Sequence, residues 1–268
     1  MATCKNCGKP LILKGGKCVY CGEDPNQKSG GIIKPTEKLL FKKTIDIVFC
    51  VDCSWPMAPV LDSVKDNIVR LLEDINRYND NISSEYQPLA DWRARVMGYR
   101  NFEEDYECLL NDNPFVSDIE DVKEQLSGLA CKGYTENNPL SSSLDALWYA
   151  VQTSDWRDWD SIHYGEDWVG GKGRHVFVVL FTSMPPLPIH DKTLDEVMGA
   201  DRDINRLSET MYEKHITLTF FGPNDSVYKA LRAAPRSEIN LFEDPIEFYY
   251  HKQLDFSSIL NSFNETLS

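Results

Sequence analysis

The stretch that most constrains this chain is Thr44-Ile-Asp-Ile-Val-Phe-Cys-Val-Asp52. It is almost continuously apolar and rich in β-branched residues, the pattern of a strand buried on both faces of a parallel sheet. Parallel strands require long crossovers, usually helical. One follows at once: Val60, Leu61, Val64, Ile68, Leu71, Leu72 and Ile75 recur at helical spacing between Val60 and Tyr78.

The alternation continues along the chain. Strands are expected at Ala94–Tyr99, His175–Thr182, His215–Phe221 and Asn240–Phe242, with Glu107–Leu110 as a short hairpin partner of the second strand. Helices are expected at Val116–Leu129, Leu140–Thr153, Leu194–Met211, Ser226–Ala234 and Phe256–Phe263. Strands alternating with helices specify an α/β fold, a doubly wound, mostly parallel sheet of the Rossmann-like kind. No internal repeat is present.

The N-terminal segment obeys other rules. Cys4-x2-Cys7 is followed by Cys18-x2-Cys21, half of the eight cysteines in the chain. Two such knuckles supply four thiolates, the tetrahedral set of a structural Zn²⁺. The segment is too short to fold on a hydrophobic core, so metal has to stabilise it. Leu11-Ile12-Leu13 is expected as one strand of a small hairpin turning at Gly15-Gly16. The pattern resembles a zinc ribbon. The expected organisation is a ribbon at 1–24, a linker at 25–41 and an α/β domain at 42–268. Cys50 reads as a small core residue and Cys53, Cys108 and Cys131 as packing residues.

The charge distribution agrees with two units. The chain carries a formal net charge of −14. Residues 1–43 hold nine lysines against Glu23, Asp24 and Glu37, a net of +6, which leaves −20 on the remainder. So acidic a body repels nucleic acid and anionic lipid. No apolar run is long enough to span a membrane, and Met1-Ala2-Thr3-Cys4-Lys5 has no signal-peptide character, so a cytoplasmic location is expected. The alternative reading is a nucleic-acid-associated factor that binds through the basic ribbon.

In open α/β sheets, ligands sit beyond the carboxyl ends of the strands. There the first strand ends in Asp52-Cys53-Ser54-Trp55-Pro56-Met57. A carboxylate and a hydroxyl two residues apart can share one hard cation, and Mg²⁺ prefers such oxygen ligands. The plainer reading of Asp52 is a strand-end cap that bonds backbone amides.

At these residues the chain resembles a von Willebrand factor A (vWA) domain. That family carries Asp-x-Ser-x-Ser here as the core of a metal-ion-dependent adhesion site, with a Thr from a later loop and an Asp after the fourth strand. The resemblance implies Asp52, Ser54 and Thr135, the last from Gly133-Tyr134-Thr135-Glu136, as ligands of Mg²⁺ or Mn²⁺. Leu180-Phe181-Thr182-Ser183 falls where the family often has Thr-Asp. Pro56 replaces the second motif Ser, and Ser183 replaces the Asp, so Asp52 is the one charged ligand left. Such a site should bind Mg²⁺ weakly unless a partner adds a carboxylate. Trp92-Arg-Ala-Arg-Val-Met-Gly-Tyr-Arg-Asn101, Leu144–Trp148 and Phe181–Pro188 are similar to segments of bacterial vWA proteins of the tellurite-resistance and conflict-system type. That resemblance implies a protein-interaction module working with a kinase, phosphatase or ATPase in stress or phage defence.

Other signals are weaker. Asp155-Trp-Arg-Asp-Trp-Asp160 through Trp168 mixes aromatics with acids, and serves either as a docking surface or as a cover for the core. Gly170-Gly-Lys-Gly-Arg174 precedes a strand and lacks the Gly-Lys-Ser/Thr of a phosphate loop. The five histidines are scattered, with no GxSxG or HExxH. No nucleophile has an identifiable base, so a non-enzymatic role is expected.

Overall fold

The computed structural model describes residues 13–14, 17–18, 42–80, 89–101, 109–110, 113–132, 140–153, 155–157, 174–189, 200–234, 236–251, 254–257 and 259–260. The chain divides into two units, Met1–Leu39 and Leu40–Ser268. In the first, β1 (Leu13–Lys14) pairs antiparallel with β2 (Lys17–Cys18), Leu13 opposite Cys18. Gly15 and Gly16, where the hairpin turn is expected, lie outside the described residues. Cys4, Cys7, Cys21 and the Cys18 thiol lie outside what is described.

The second unit is the α/β domain. Its strands are β3 (Lys42–Asp52), β4 (Leu89–Tyr99), β5 (Leu109–Leu110), β6 (Arg174–Phe181), β7 (Ile216–Pro223) and β8 (Glu238–Phe242). They lie in the order β5-β4-β3-β6-β7-β8. Five are mutually parallel, and β5 is the expected antiparallel partner of β4. The helices are α1 (Leu61–Asp80), α2 (Ile119–Ser127), α3 (Ser143–Thr153), α4 (Ala200–Glu213), α5 (Ser226–Ala230) and α6 (Pro245–His251). The sequence does not suggest α6. The expected helix over Ser226–Ala234 is α5 followed by a 3₁₀ turn at Leu231–Ala233. The expected Phe256–Phe263 helix falls partly outside the described residues.

The central strand shows why the sheet is doubly wound. Ile45, Ile47, Phe49 and Val51 of β3 point into one core, shared with Val64, Ile68 and Leu72 of α1, Val122 of α2 and Tyr249 of α6. Val48 and Cys50 point into a second core, with Leu147 of α3, Leu207 of α4 and Tyr228 of α5. All six β3 residues have no exposed surface. Burying one Val, Ile or Phe side chain contributes about 1.5–3 kcal/mol, so a strand buried on both faces anchors two layers at once. From β3 the order runs outward to β4 on one side and to β6 on the other. The gap between the carboxyl ends of β3 and β6 is therefore the topological switch point of the sheet.

Asp46 is a charge inside this strand, 1% exposed. Arg93, its register partner on β4, grips it with Nε and Nη2 at 2.9 and 3.0 Å. Arg157 adds its Nε at 2.7 Å and its backbone N–H at 2.8 Å. Arg157 also donates to the carbonyls of Ile45 and Asp91, both at 2.9 Å. Burial alone would raise the Asp46 carboxyl, but these hydrogen bonds and charges outweigh it and hold it below its ordinary value of 3.8.

Such a carboxylate stabilises the fold above the unfolded-state pKa, and the contribution fades as pH falls through the folded one. Asp46→Asn is expected to cost about 3 kcal/mol at pH 7, because it leaves two partly buried guanidiniums without their shared carboxylate. Urea unfolding at stepped pH checks this: the gap between wild type and variant narrows as pH drops below about 4. A gap that widens in acid contradicts the assignment.

Candidate functional site

The site forms where β3 and β6 end. Asp52, the last residue of β3, is fully buried. Its Oδ1 accepts the Ser54 backbone N–H at 2.9 Å, the strand-end cap of the plainer reading. Its Oδ2 accepts two hydroxyls, Thr182 Oγ1 at 2.9 Å and Ser141 Oγ at 3.1 Å. Thr182 follows β6, and Ser141 lies just before α3. Burial raises the Asp52 carboxyl above its ordinary value, and the hydrogen bonds from Ser54, Thr182 and Ser141 only partly offset it.

Local backbone geometry places the rest. Ser54 is extended, with φ −70° and ψ 157°, and leads into a 3₁₀ turn at Trp55–Met57. Pro56 suits the first turn of a helix, where its missing N–H is not needed, so the residue that replaces the motif Ser shapes the loop without supplying a ligand. The Ser54 hydroxyl lies close enough to Asp52 to help lower its pKa. It is buried, yet makes no well-formed hydrogen bond with any described residue. The hydroxyl of Ser183, at the lost Asp position, is in the same condition. Trp55 stands 56% exposed beside them.

Cys53 donates its backbone N–H to Tyr99 O at 2.7 Å and accepts Lys132 N–H at 3.0 Å. Lys132 and Ser54 form a parallel bridge. This ties the chain just before residues 133–139 to the site. Thr135 itself lies outside the described residues.

Three buried tyrosines hold the β6 end from below. Tyr99 donates to Phe181 O at 3.1 Å, and Tyr228 to Met184 O at 2.9 Å. Tyr249 reaches both Thr182 O at 3.1 Å and Phe221 O at 2.7 Å. Burial pushes all three phenols up, so they remain protonated donors. Burial likewise lifts the Cys50 thiol to about 12, Cys131 to about 11 and Cys53 higher still. None is a thiolate at neutral pH, which fits their reading as packing residues.

The residues present suit a hard cation in kind. They are all oxygen donors, and two buried hydroxyls lacking partners flank a carboxylate whose helpers are neutral. In charge they are poor. Among the described residues no group of three or more His, Cys, Asp or Glu side chains could hold a metal ion. The structure places Asp52 and Ser54 side by side at the end of β3. It adds Ser141 and gives Thr182 a donor role, neither foreseen from the sequence. The run Ser141-Ser142-Ser143 was the available signal for the first.

Arg100 is buried beside this edge, while Glu103 and Glu104 lie outside the described residues. Trp156 covers the core rather than standing free: its ring lies 5.6 Å from Phe115, and its Nε1 donates to Val151 O at 3.4 Å. Trp159, Trp168 and residues 170–173 lie outside the described set. Among the described residues no helix is long and apolar enough to cross a membrane.

Gly222 on β7 guards the geometry. A Cβ there would meet the Phe220 ring at 2.6 and 2.7 Å and Thr182 Cγ2 at 3.0 Å. Gly222→Ala is expected to cost about 1–3 kcal/mol in thermal or urea unfolding, the usual penalty for overpacking a core. A neutral result would show that Thr182 can shift freely.

No family model matches the sequence, and no curated protein matches it. Solved structures similar to the chain include the VWA domain of SpRpn10, at 11% identity and a TM-score of 0.45, covering 76% of this chain and 93% of that one. Another is proximal thread matrix protein 1 from the mussel byssus, at 11% identity and a TM-score of 0.46. That match covers 81% of this chain and 46% of the other, so the chain spans about half its length.

Proposed function

We propose that the α/β domain is a vWA-type interaction module that binds a protein partner at the carboxyl edge of its sheet. The observation that carries this reading is the state of Asp52. It is a fully buried carboxylate at the switch point, helped only by neutral hydrogen-bond donors and flanked by the unsatisfied hydroxyls of Ser54 and Ser183. Buried charge without a counter-charge is costly, and a cation placed there relieves it. Asp52 and Ser54, with Thr135, would hold Mg²⁺ or Mn²⁺, and an Asp or Glu of the partner would supply the missing charge. Exposed Trp55 suits an anchor beside that contact, since Trp is enriched among residues that dominate binding energy. The resemblance in the sequence points to a kinase, phosphatase or ATPase as partner and to a role in stress or defence. No catalytic step is part of this reading.

Cys4, Cys7, Cys18 and Cys21 would hold a structural Zn²⁺ in the N-terminal unit. Purified chain is expected to carry one zinc ion by elemental analysis, and Cys4→Ser with Cys7→Ser to lose it. Equal zinc content in both would refute the ribbon.

Calorimetric titration of the zinc-loaded chain with Mg²⁺ and Mn²⁺ tests the edge. Weak saturable heat is expected, absent in Asp52→Ala, with circular dichroism confirming that the variant stays folded. Heat that survives the substitution, or no heat even with an acidic peptide present, removes the cation from the account.

A further inference from the structure

Outside the N-terminal quartet, Cys50, Cys53 and Cys131 are described, all as free thiols. The sheet sorts them by face. Cys50 packs with Leu147 and Leu207 on one side. Cys53 and Cys131 both pack into the core on the other side, with Val64 and Val122. Cys53 is fully buried, and Cys131 is partly exposed.

Backbone register then sets these two side by side. Ser54 and Lys132 form a parallel bridge, and the Lys132 N–H donates to Cys53 O at 3.0 Å. Cys53 and Cys131 each precede one of the bridged residues, so they are the preceding pair in the same parallel register. Neighbouring strands lie about 4.8 Å apart, and a disulfide needs Cα atoms about 4.4–6.8 Å apart with Cβ atoms on one side. The shared core supplies the common side. The electrostatics agree: after burial itself, the largest influence on the Cys53 thiol is Cys131.

We propose that Cys53 and Cys131 form a redox-sensitive staple at the carboxyl edge of the sheet, closed by a low-molecular-weight disulfide such as glutathione disulfide. The Cys131 thiol, the more exposed of the two, loses its proton and attacks one sulfur of glutathione disulfide. A Cys131–glutathione mixed disulfide forms, and the first glutathione thiolate leaves. The Cys53 sulfur, deprotonated in turn, attacks Cys131 Sγ. The Cys53–Cys131 bond forms and the second glutathione thiolate leaves. Two electrons have passed from the protein to the oxidant, and the two released protons make two glutathione thiols. Exchange proceeds through thiolates, and both thiols are protonated at neutral pH, so the staple closes slowly and is not a fast catalytic disulfide. Once closed, it fixes the residue between Asp52 and Ser54 to the chain that enters residues 133–139. It also closes a long loop that carries α1, β4 and α2. The bond requires no cation at Asp52, so this inference stands apart from the proposed metal site.

The test incubates the full, zinc-loaded chain with glutathione disulfide under native conditions, blocks the remaining thiols and maps tryptic peptides by mass spectrometry. A link between the peptides 44–65 and 124–132 is expected, at least tenfold above any other pair outside the quartet. Fragmentation is expected to assign it to Cys53 rather than Cys50, and dithiothreitol to reverse it. The linked chain is expected to melt about 5 °C or more above the reduced chain, because the bond restricts the unfolded state. Cys131→Ala, a change at the partly exposed position, is expected to lose both the link and the rise. The proposal is overturned if the link is missing, forms only in urea or joins Cys50. It is also overturned if the linked chain melts at or below the reduced one, or if the rise persists in Cys131→Ala.

Discussion

Two carboxylates on one face of the central strand, Asp46 and Asp52, set the conditions under which this domain exists. A strand buried on both sides tolerates charge only where other groups compensate it. The two are compensated in different ways. Asp46 is met by two guanidiniums, and its charge is cancelled where it stands. Asp52 is met by one amide and two hydroxyls, which orient the carboxylate without neutralising it. The directions of their pKa shifts follow: Asp46 is lowered and Asp52 raised. The first is a structural clamp that joins β3, β4 and the chain after α3. The second remains short of positive charge, at the place where a doubly wound sheet opens to ligands.

The rest of the domain keeps that edge in place. Tyr99, Tyr228 and Tyr249 come from β4, α5 and α6, and each spends its hydroxyl on a carbonyl between Phe181 and Met184 or on Phe221. Thr182 can donate to Asp52 because its own backbone is held from beneath. Packing on both faces of the sheet and polarity at its end are thus one construction. The hydroxyls that orient the acid sit on loops, and the phenols that fix one of those loops sit in the cores.

Legibility in the sequence tracked how local each cause was. The run over Thr44–Asp52 announced its strand because burial on both faces leaves no polar alternation. Asp52 and Ser54 were readable because they are two residues apart at a strand end. Ser141 was not, because it reaches Asp52 from 89 positions along the chain. Nothing near Asp46 in the sequence marks its partners, because Arg93 and Arg157 reach it from 47 and 111 positions along the chain. Arg93 and Arg95 alternate with Trp92, Ala94 and Val96, which reads as a strand with a wet face. The fold instead covers that face with Phe115, α3 and Trp156. Helix α6 escaped notice because Phe248-Tyr249-Tyr250 in a short segment has little intrinsic helix preference, and its contacts with the core decide the matter.

The central claim is that Asp52 and Ser54 form an oxygen site short of positive charge at the switch point. Its most direct test is a crystal of the full chain soaked in Mn²⁺ and measured at a wavelength where manganese scatters anomalously. The account predicts an anomalous peak within bonding distance of Asp52 and the Ser54 hydroxyl, and none beside Asp46, whose charge is already cancelled. Well-ordered density for Asp52 and Ser54 at saturating Mn²⁺ with no peak between them would contradict it.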